Sequence, residues 1–176
     1  KLVILACNTA SAKALRTIQQ TYLPYNFPDC RVLGVIRPTV ECIGDITVTR
    51  SVGIMATEGT IRSDSYTIEV AKLFPDIKIT GMACPMLVPL IENNEYDTPG
   101  ARYFIKKYVD ALFTKNPDID TIVLGCTHYP LIYNQIKEVA PEGVKIIRQG
   151  NVVAESLVDY LNRHPEITSC LTKTGS

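Results

Sequence analysis

Thr121-Ile122-Val123-Leu124-Gly125-Cys126-Thr127-His128-Tyr129-Pro130 is the stretch that decides how this chain folds. Its first four residues form an apolar run of the kind found in a parallel strand buried on both faces. Leu131-Ile132-Tyr133-Asn134-Gln135-Ile136 then has the apolar spacing of a helix. Gly125 permits a sharp exit from the strand, Thr127 or His128 is placed to cap the coming helix, and Pro130 suits a first turn. Cys126 is therefore expected at the carboxyl end of a strand and beside a helix amino terminus. In open α/β sheets ligands bind there. A helix dipole at that place is expected to lower a thiol pKa from about 8.5 toward neutrality.

The same arrangement occurs at the start of the chain. Leu2-Val3-Ile4-Leu5-Ala6 reads as a buried strand, and Cys7-Asn8-Thr9 as a second strand-to-helix junction with a thiol at its tip. A single free cysteine is ordinarily a small buried hydrophobe. Two in matching junctions point to chemistry.

The 176 residues suffice for one ordinary domain or two small ones, and 46% hydrophobic content allows a core without staples. Eighteen basic and eighteen acidic residues give zero net charge with no basic block, which offers no electrostatic case for nucleic acid or an anionic membrane. No apolar run approaches the roughly 20 residues of a membrane span. The six cysteines have no CxxC pair, and there are only two histidines, so neither a disulfide scaffold nor a metal site is expected. No Gly-rich phosphate motif occurs and no lysine lies in the site motifs, so no cofactor is expected. No signal-peptide pattern opens the sequence, so a cytoplasmic location is the expectation. The chain opens at Lys1 directly on a strand that needs neighbours, so a preceding segment is expected.

Strands at Val32–Ile36, Ser51–Ala56, Lys78–Met82, Thr121–Leu124 and Val144–Ile147 alternate with helices. The helices are expected from Thr9, as N-cap, to about Tyr22, from Pro38 past Ile43, over Ile61–Phe74, over Met86–Glu92, and over the amphipathic stretch holding Phe104, Ile105, Tyr108, Val109, Leu112 and Phe113. Two more are expected, one ending near Val139 and one over Asn151–Asn162. Pro24, Pro28 and Asp29 mark a loop, and His164 onward reads as a frayed tail. The alternation predicts a parallel-sheet α/β fold with right-handed crossovers.

Leu5-Ala6-Cys7-Asn8-Thr9-Ala10-Ser11 and Leu124-Gly125-Cys126-Thr127-His128-Tyr129-Pro130 closely resemble the two cysteine motifs of the glutamate racemases. These belong to the aspartate/glutamate racemase superfamily. Gly34-Val35-Ile36, Thr57-Glu58-Gly59-Thr60-Ile61-Arg62-Ser63 and Ala83-Cys84-Pro85-Met86-Leu87-Val88-Pro89-Leu90-Ile91-Glu92 are similar to the intervening motifs, in order. The resemblance implies a three-layer αβα architecture of two facing, pseudo-symmetric domains. Residues 32–139 would form the second, and residues 1–31 plus 140–176 the remnant of an incomplete first. It also implies cofactor-independent interconversion of L- and D-glutamate for peptidoglycan synthesis. The Asp-Ser and Tyr-Gly pairs with which the family helps bind substrate have no counterpart after Lys1. With the cradle thus open, the 176-residue chain is expected to be inactive and to associate with its own copies through strand edges.

Racemisation removes the α-proton from one face of a carbon and returns one to the other, so two acid/base groups must flank the substrate. Cys7 and Cys126 are the candidates. The resemblance assigns Asn8, Thr9, Thr57, Thr60 and Thr127 to the substrate carboxylate, His128 to assistance and binding beside Cys126, and Glu92 to a place near that thiol. As isolated residues, Thr and Asn side chains at helix starts are more often only caps, His128 reads also as a cap or core histidine, and Glu92 as solvated surface. Cys84 reads as packing, and Cys30, Cys42 and Cys170 receive no role. An aspartate or other amino-acid racemase is the alternative within the class. A cysteine hydrolase using Cys126 and His128 would leave Cys7 unexplained, and a non-catalytic small-molecule-binding domain is the third alternative.

Overall fold

In the computed structural model, which describes residues 1–172, two elements run through the body of the chain as strands buried along their whole length. They are β3 (Ser51–Ala56) and β5 (Thr121–Gly125). Both are central strands, since β4 (Lys78–Ala83) pairs with the other edge of β3 and β6 (Lys145–Arg148) with the other edge of β5. The resulting sheet, β4-β3-β5-β6, is parallel throughout. A second parallel pair joins β1 (Leu2–Leu5) to β2 (Arg31–Gly34).

Alternation along β3 and β5 divides the core between two layers. Met55, Ile122 and Leu124 pack with Leu87 of α6 (Leu87–Glu92), Ile105 and Leu112 of α7 (Pro99–Lys115), and Ile136 of α8 (Tyr133–Val139). On the opposite face Val52, Ile54 and Val123 pack with Val40 and Ile43 of α3 (Ile36–Ile46) and Val70 of α5 (Ser65–Leu73). The architecture is the expected three-layer αβα. Gly53 allows the layers to close, since a Cβ there would stand 2.7 Å from Leu112 Cδ2.

Sheet membership differs from the division at 32–139. The strand at 31–34 is bonded to β1, whereas the strand at 145–148 completes the four-stranded sheet. Hydrogen bonding between strands, invisible in a strand's own composition, decides this. β1 itself is not buried as its apolar run suggested, since Val3 is 52% and Ile4 40% exposed.

The remaining corrections are local. The first helix begins at Asn8, not after a Thr9 cap, and continues past Tyr22. It runs as α1 (Asn8–Thr17), a π-turn over Ile18–Tyr22, and α2 (Leu23–Asn26), with Pro24 tolerated in the first turn of α2. The helix expected over 61–74 breaks into α4 (Glu58–Arg62) and α5, because Asp64 adopts a left-handed φ of 55°. The Tyr129–Ile132 turn is a 3-10 helix ahead of α8, and no side chain caps it. After α9 (Gln149–Arg163), the expected tail instead forms α10 (Pro165–Thr168), with Ile167 buried.

Candidate active site

The carboxyl ends of β1, β3 and β5, with the turns and helix starts that follow them, carry the residues singled out from the sequence other than Glu92, which ends α6. Cys7 is exposed at the amino terminus of α1, in extended backbone with φ −87° and ψ 129°. Its carbonyl accepts from Ser11 N at 2.9 Å, and Ser11 Oγ donates to Leu5 O at 2.8 Å, so the turn is fixed on its helical side.

Cys126 follows β5 and is buried, at 7% exposure. Gly125 brings this turn close against β3, where a Cβ would meet Ala56 Cβ at 3.2 Å and Met55 O at 3.3 Å. Sγ of Cys126 lies 3.7 Å from Nδ1 of His128, and the other ring nitrogen lies 3.1 Å from Oε1 of Glu92. With Nε2 donating to the carboxylate, a neutral ring presents Nδ1 as acceptor for the thiol hydrogen. A protonated ring donates to the thiolate. Carboxylate, imidazole and thiol therefore form a chain able to move a proton.

Burial pushes the Cys126 thiol above its ordinary value, although backbone donors at His128 and Tyr129 pull it back, and negative charge at Cys7 and Glu92 raises it further. The lowering expected from a helix dipole does not prevail. The turn that follows is four residues of 3-10 helix, and desolvation outweighs its dipole. Cys84, fully buried, is pushed up to about 12 by desolvation, in keeping with a packing role.

Three hydroxyls converge between the starts of α1 and α4. Thr9 Oγ1 lies 2.8 Å from Thr57 Oγ1 and 3.1 Å from Thr60 Oγ1, and Thr57 and Thr60 are 3.1 Å apart. Thr57 also caps α4 by accepting from Thr60 N at 3.3 Å. Gly59 permits the approach of α1, since a Cβ there would come within 3.1 Å of Thr9 Cγ2. Thr127 is exposed on the Cys126 turn.

Asn8 does not face this cluster. It is 2% exposed, and its amide points inward to Gln149 at 2.6 Å and Tyr66 at 2.8 Å. Sequence reasoning missed Gln149, Tyr66 and Thr39, which hold it. The only signal available was a polar residue, Gln149, directly after the last strand. Tyr66, in the first turn of α5, and Thr39, within α3, have nothing to mark them.

Among the described residues no group of three or more His, Cys, Asp or Glu side chains gathers as metal ligands. No helix among them is long and apolar enough to cross a membrane.

Comparison with known proteins bears on this arrangement. The chain is 40% identical over 174 residues to a glutamate racemase of Roseobacter denitrificans, covering 93% of this chain and 63% of that protein. It is 38% identical over 161 residues to one of Geobacter metallireducens, covering 92% and 57%. The chain thus spans about three fifths of the length of the curated relatives it matches. Among solved structures, glutamate racemase isoform RacE1 of Bacillus anthracis superposes with a TM-score of 0.83 at 34% identity, covering 93% of this chain and 58% of that one. Glutamate racemase of Francisella tularensis in complex with D-glutamate superposes with a TM-score of 0.81 at 29% identity, covering 99% and 60%. The Asp/Glu/Hydantoin racemase family model matches residues 1–157, with both thiol junctions inside the match, and the chain belongs to that family.

Proposed function

We propose that this chain carries the two-thiol centre of a glutamate racemase, which interconverts L- and D-glutamate without a cofactor. The observation that carries the reading is that two cysteines, Cys7 and Cys126, each stand just past the carboxyl end of a parallel strand, β1 and β5, inside the stretch that matches the racemase family. The identity of 35–40% to curated glutamate racemases supports glutamate as the substrate.

One cysteine, as thiolate, removes the α-proton while the other, as thiol, delivers one to the opposite face. The roles exchange in the reverse direction. An amino-acid α-proton is far less acidic than a thiol of pKa about 8.5, so the developing carbanion needs preorganised donors and a site that excludes water. The Thr9, Thr57 and Thr60 hydroxyls are suited to the substrate carboxylate, and Thr127 to its near side. His128, backed by Glu92, takes up and returns the proton of Cys126. The raised thiol at Cys126 makes the thiol form its resting state, so His128 is the group that draws off its proton. The D-glutamate formed would supply peptidoglycan synthesis.

The test is deuterium incorporation at Cα of L- and D-glutamate in D2O without added cofactor. It is run on this chain and on a chimera in which the chain replaces the aligned stretch of the Roseobacter denitrificans relative. Exchange of both enantiomers by the chimera supports the assignment. A folded chimera that exchanges neither, or that exchanges aspartate faster than glutamate, overturns it. The chain alone is expected to exchange far more slowly, since fewer groups surround the substrate.

A further inference from the structure

Asn8 and Gln149 are buried, at 2% and 8% exposure, and belong to a closed set of hydrogen bonds with a single consistent polarity. Asn8 Nδ2 donates to Gln149 Oε1 at 2.6 Å, and Asn8 Oδ1 accepts from the Tyr66 hydroxyl at 2.8 Å. Gln149 Nε2 donates to the Tyr66 hydroxyl at 2.8 Å and to Thr39 Oγ1 at 2.7 Å. Thr39 Oγ1 passes its own hydrogen to Val35 O at 2.8 Å. Each of these bonds pairs a donor with an acceptor in one sense only, so neither amide can flip without breaking a bond.

The placement of the two amides gives this network a purpose. Asn8 immediately follows Cys7. Gln149 immediately follows Arg148, whose register partner on β5 is Leu124, two residues before Cys126. The network therefore fastens the turn carrying one thiol to the strand beside the one carrying the other. Cys7 makes no side-chain cap bond of its own. Its direction is set by backbone held at Ser11 on one side and at Asn8 on the other. A buried polar network is seldom more stabilising than apolar packing, but it enforces one geometry.

We propose that Gln149 is a positioning residue, holding the Cys7 turn against the sheet that carries Cys126 through the amide of Asn8. The proposal rests on the two-thiol reading, with the side chain of Asn8 acting as an inward anchor.

The test uses the 176-residue chain and needs no turnover, so its outcome is separate from that of the racemase assay. Gln149→Leu and Tyr66→Phe are compared with Leu112→Ala, a core truncation against Gly53 near the other end of β3. Alkylation of each cysteine by iodoacetamide is followed by peptide mass spectrometry as a function of pH, with exposed Cys170 as reference. With the turn released from Asn8, both network variants are expected to change the alkylation rate of Cys7 relative to Cys170 severalfold at every pH. Both should also speed amide hydrogen exchange at residues 7–11 roughly tenfold, the effect of losing about one buried hydrogen bond. Leu112→Ala should do neither. Unchanged Cys7 alkylation and amide exchange in folded Gln149→Leu or Tyr66→Phe would overturn the proposal, as would the same changes in Leu112→Ala. Tyr66→Phe keeps the ring that fills the core, so the test stands even where Gln149→Leu does not fold.

Discussion

Nε2 of His128 lies 3.1 Å from Oε1 of Glu92, joining the last residue of α6 to the turn after β5. The imidazole is thereby oriented with its other nitrogen toward Cys126. In the chimera, His128→Ala is expected to lower kcat by about 10²-fold or more, the usual worth of a positioned acid/base group. Glu92→Gln should cost less, because Glu92 is 59% exposed and water can replace its contact. Steady-state kinetics in both directions check this. Equal losses in the two variants would mean that the ring acts only as a unit with the carboxylate and that water does not replace the Glu92 contact.

Cys7→Ser and Cys126→Ser should each lower racemisation by at least about 10²-fold, since a hydroxyl is too weak a base to stand in for a thiolate. Elimination from a glutamate analogue bearing a β leaving group needs one base only. Each variant is expected to keep this reaction for one enantiomer, and the two variants for opposite ones. Loss of both eliminations in both variants would mean that the thiols do not serve separate faces.

Thr57→Val removes the cap of α4 and two contacts in the hydroxyl cluster. Loss of the cap should destabilise the fold by about 1 kcal/mol. KM for glutamate in the chimera should rise more than kcat falls, because a carboxylate ligand acts in the ground state as well as the transition state. Urea unfolding and initial-rate kinetics separate the two effects.

Asp120 fastens the loop before β3 to the start of β5. It accepts from Thr47 Oγ1 at 2.7 Å, from Thr121 Oγ1 at 2.9 Å and from the Thr49 amide at 2.8 Å. Burial acts to raise its pKa, but these donors outweigh burial and bring it from 3.8 down to about 2. A carboxyl held lower in the folded state stabilises fully above the unfolded value and loses that contribution as pH falls through the folded one. Asp120→Asn sets an amide against backbone donors and should cost about 1–3 kcal/mol at neutral pH. The gap to the unsubstituted chain should narrow between about pH 4 and pH 2. Denaturant titrations at neutral and acid pH test this, and a gap independent of pH would exclude the charge as its origin.

Much of this protein was legible in its sequence. Apolar runs bounded by polar turns mark β3 and β5, and the alternation of strand and helix dictates a parallel α/β sheet, because burial on both faces leaves no polar positions. Cys7 and Cys126 stand out because each ends such a run, and the motifs around them carry the family resemblance. Tertiary structure alone decided which strands pair. Composition makes β2 and β6 interchangeable, yet hydrogen bonding joins β2 to β1 and β6 to β5. It alone revealed that Asn8 turns inward to Gln149, a partner 141 residues away whose position depends on that same pairing. It also set the direction of the Cys126 shift, because a thiol's ionisation depends on how much water surrounds it, and that is a property of the packed fold and not of the residues beside it in the chain.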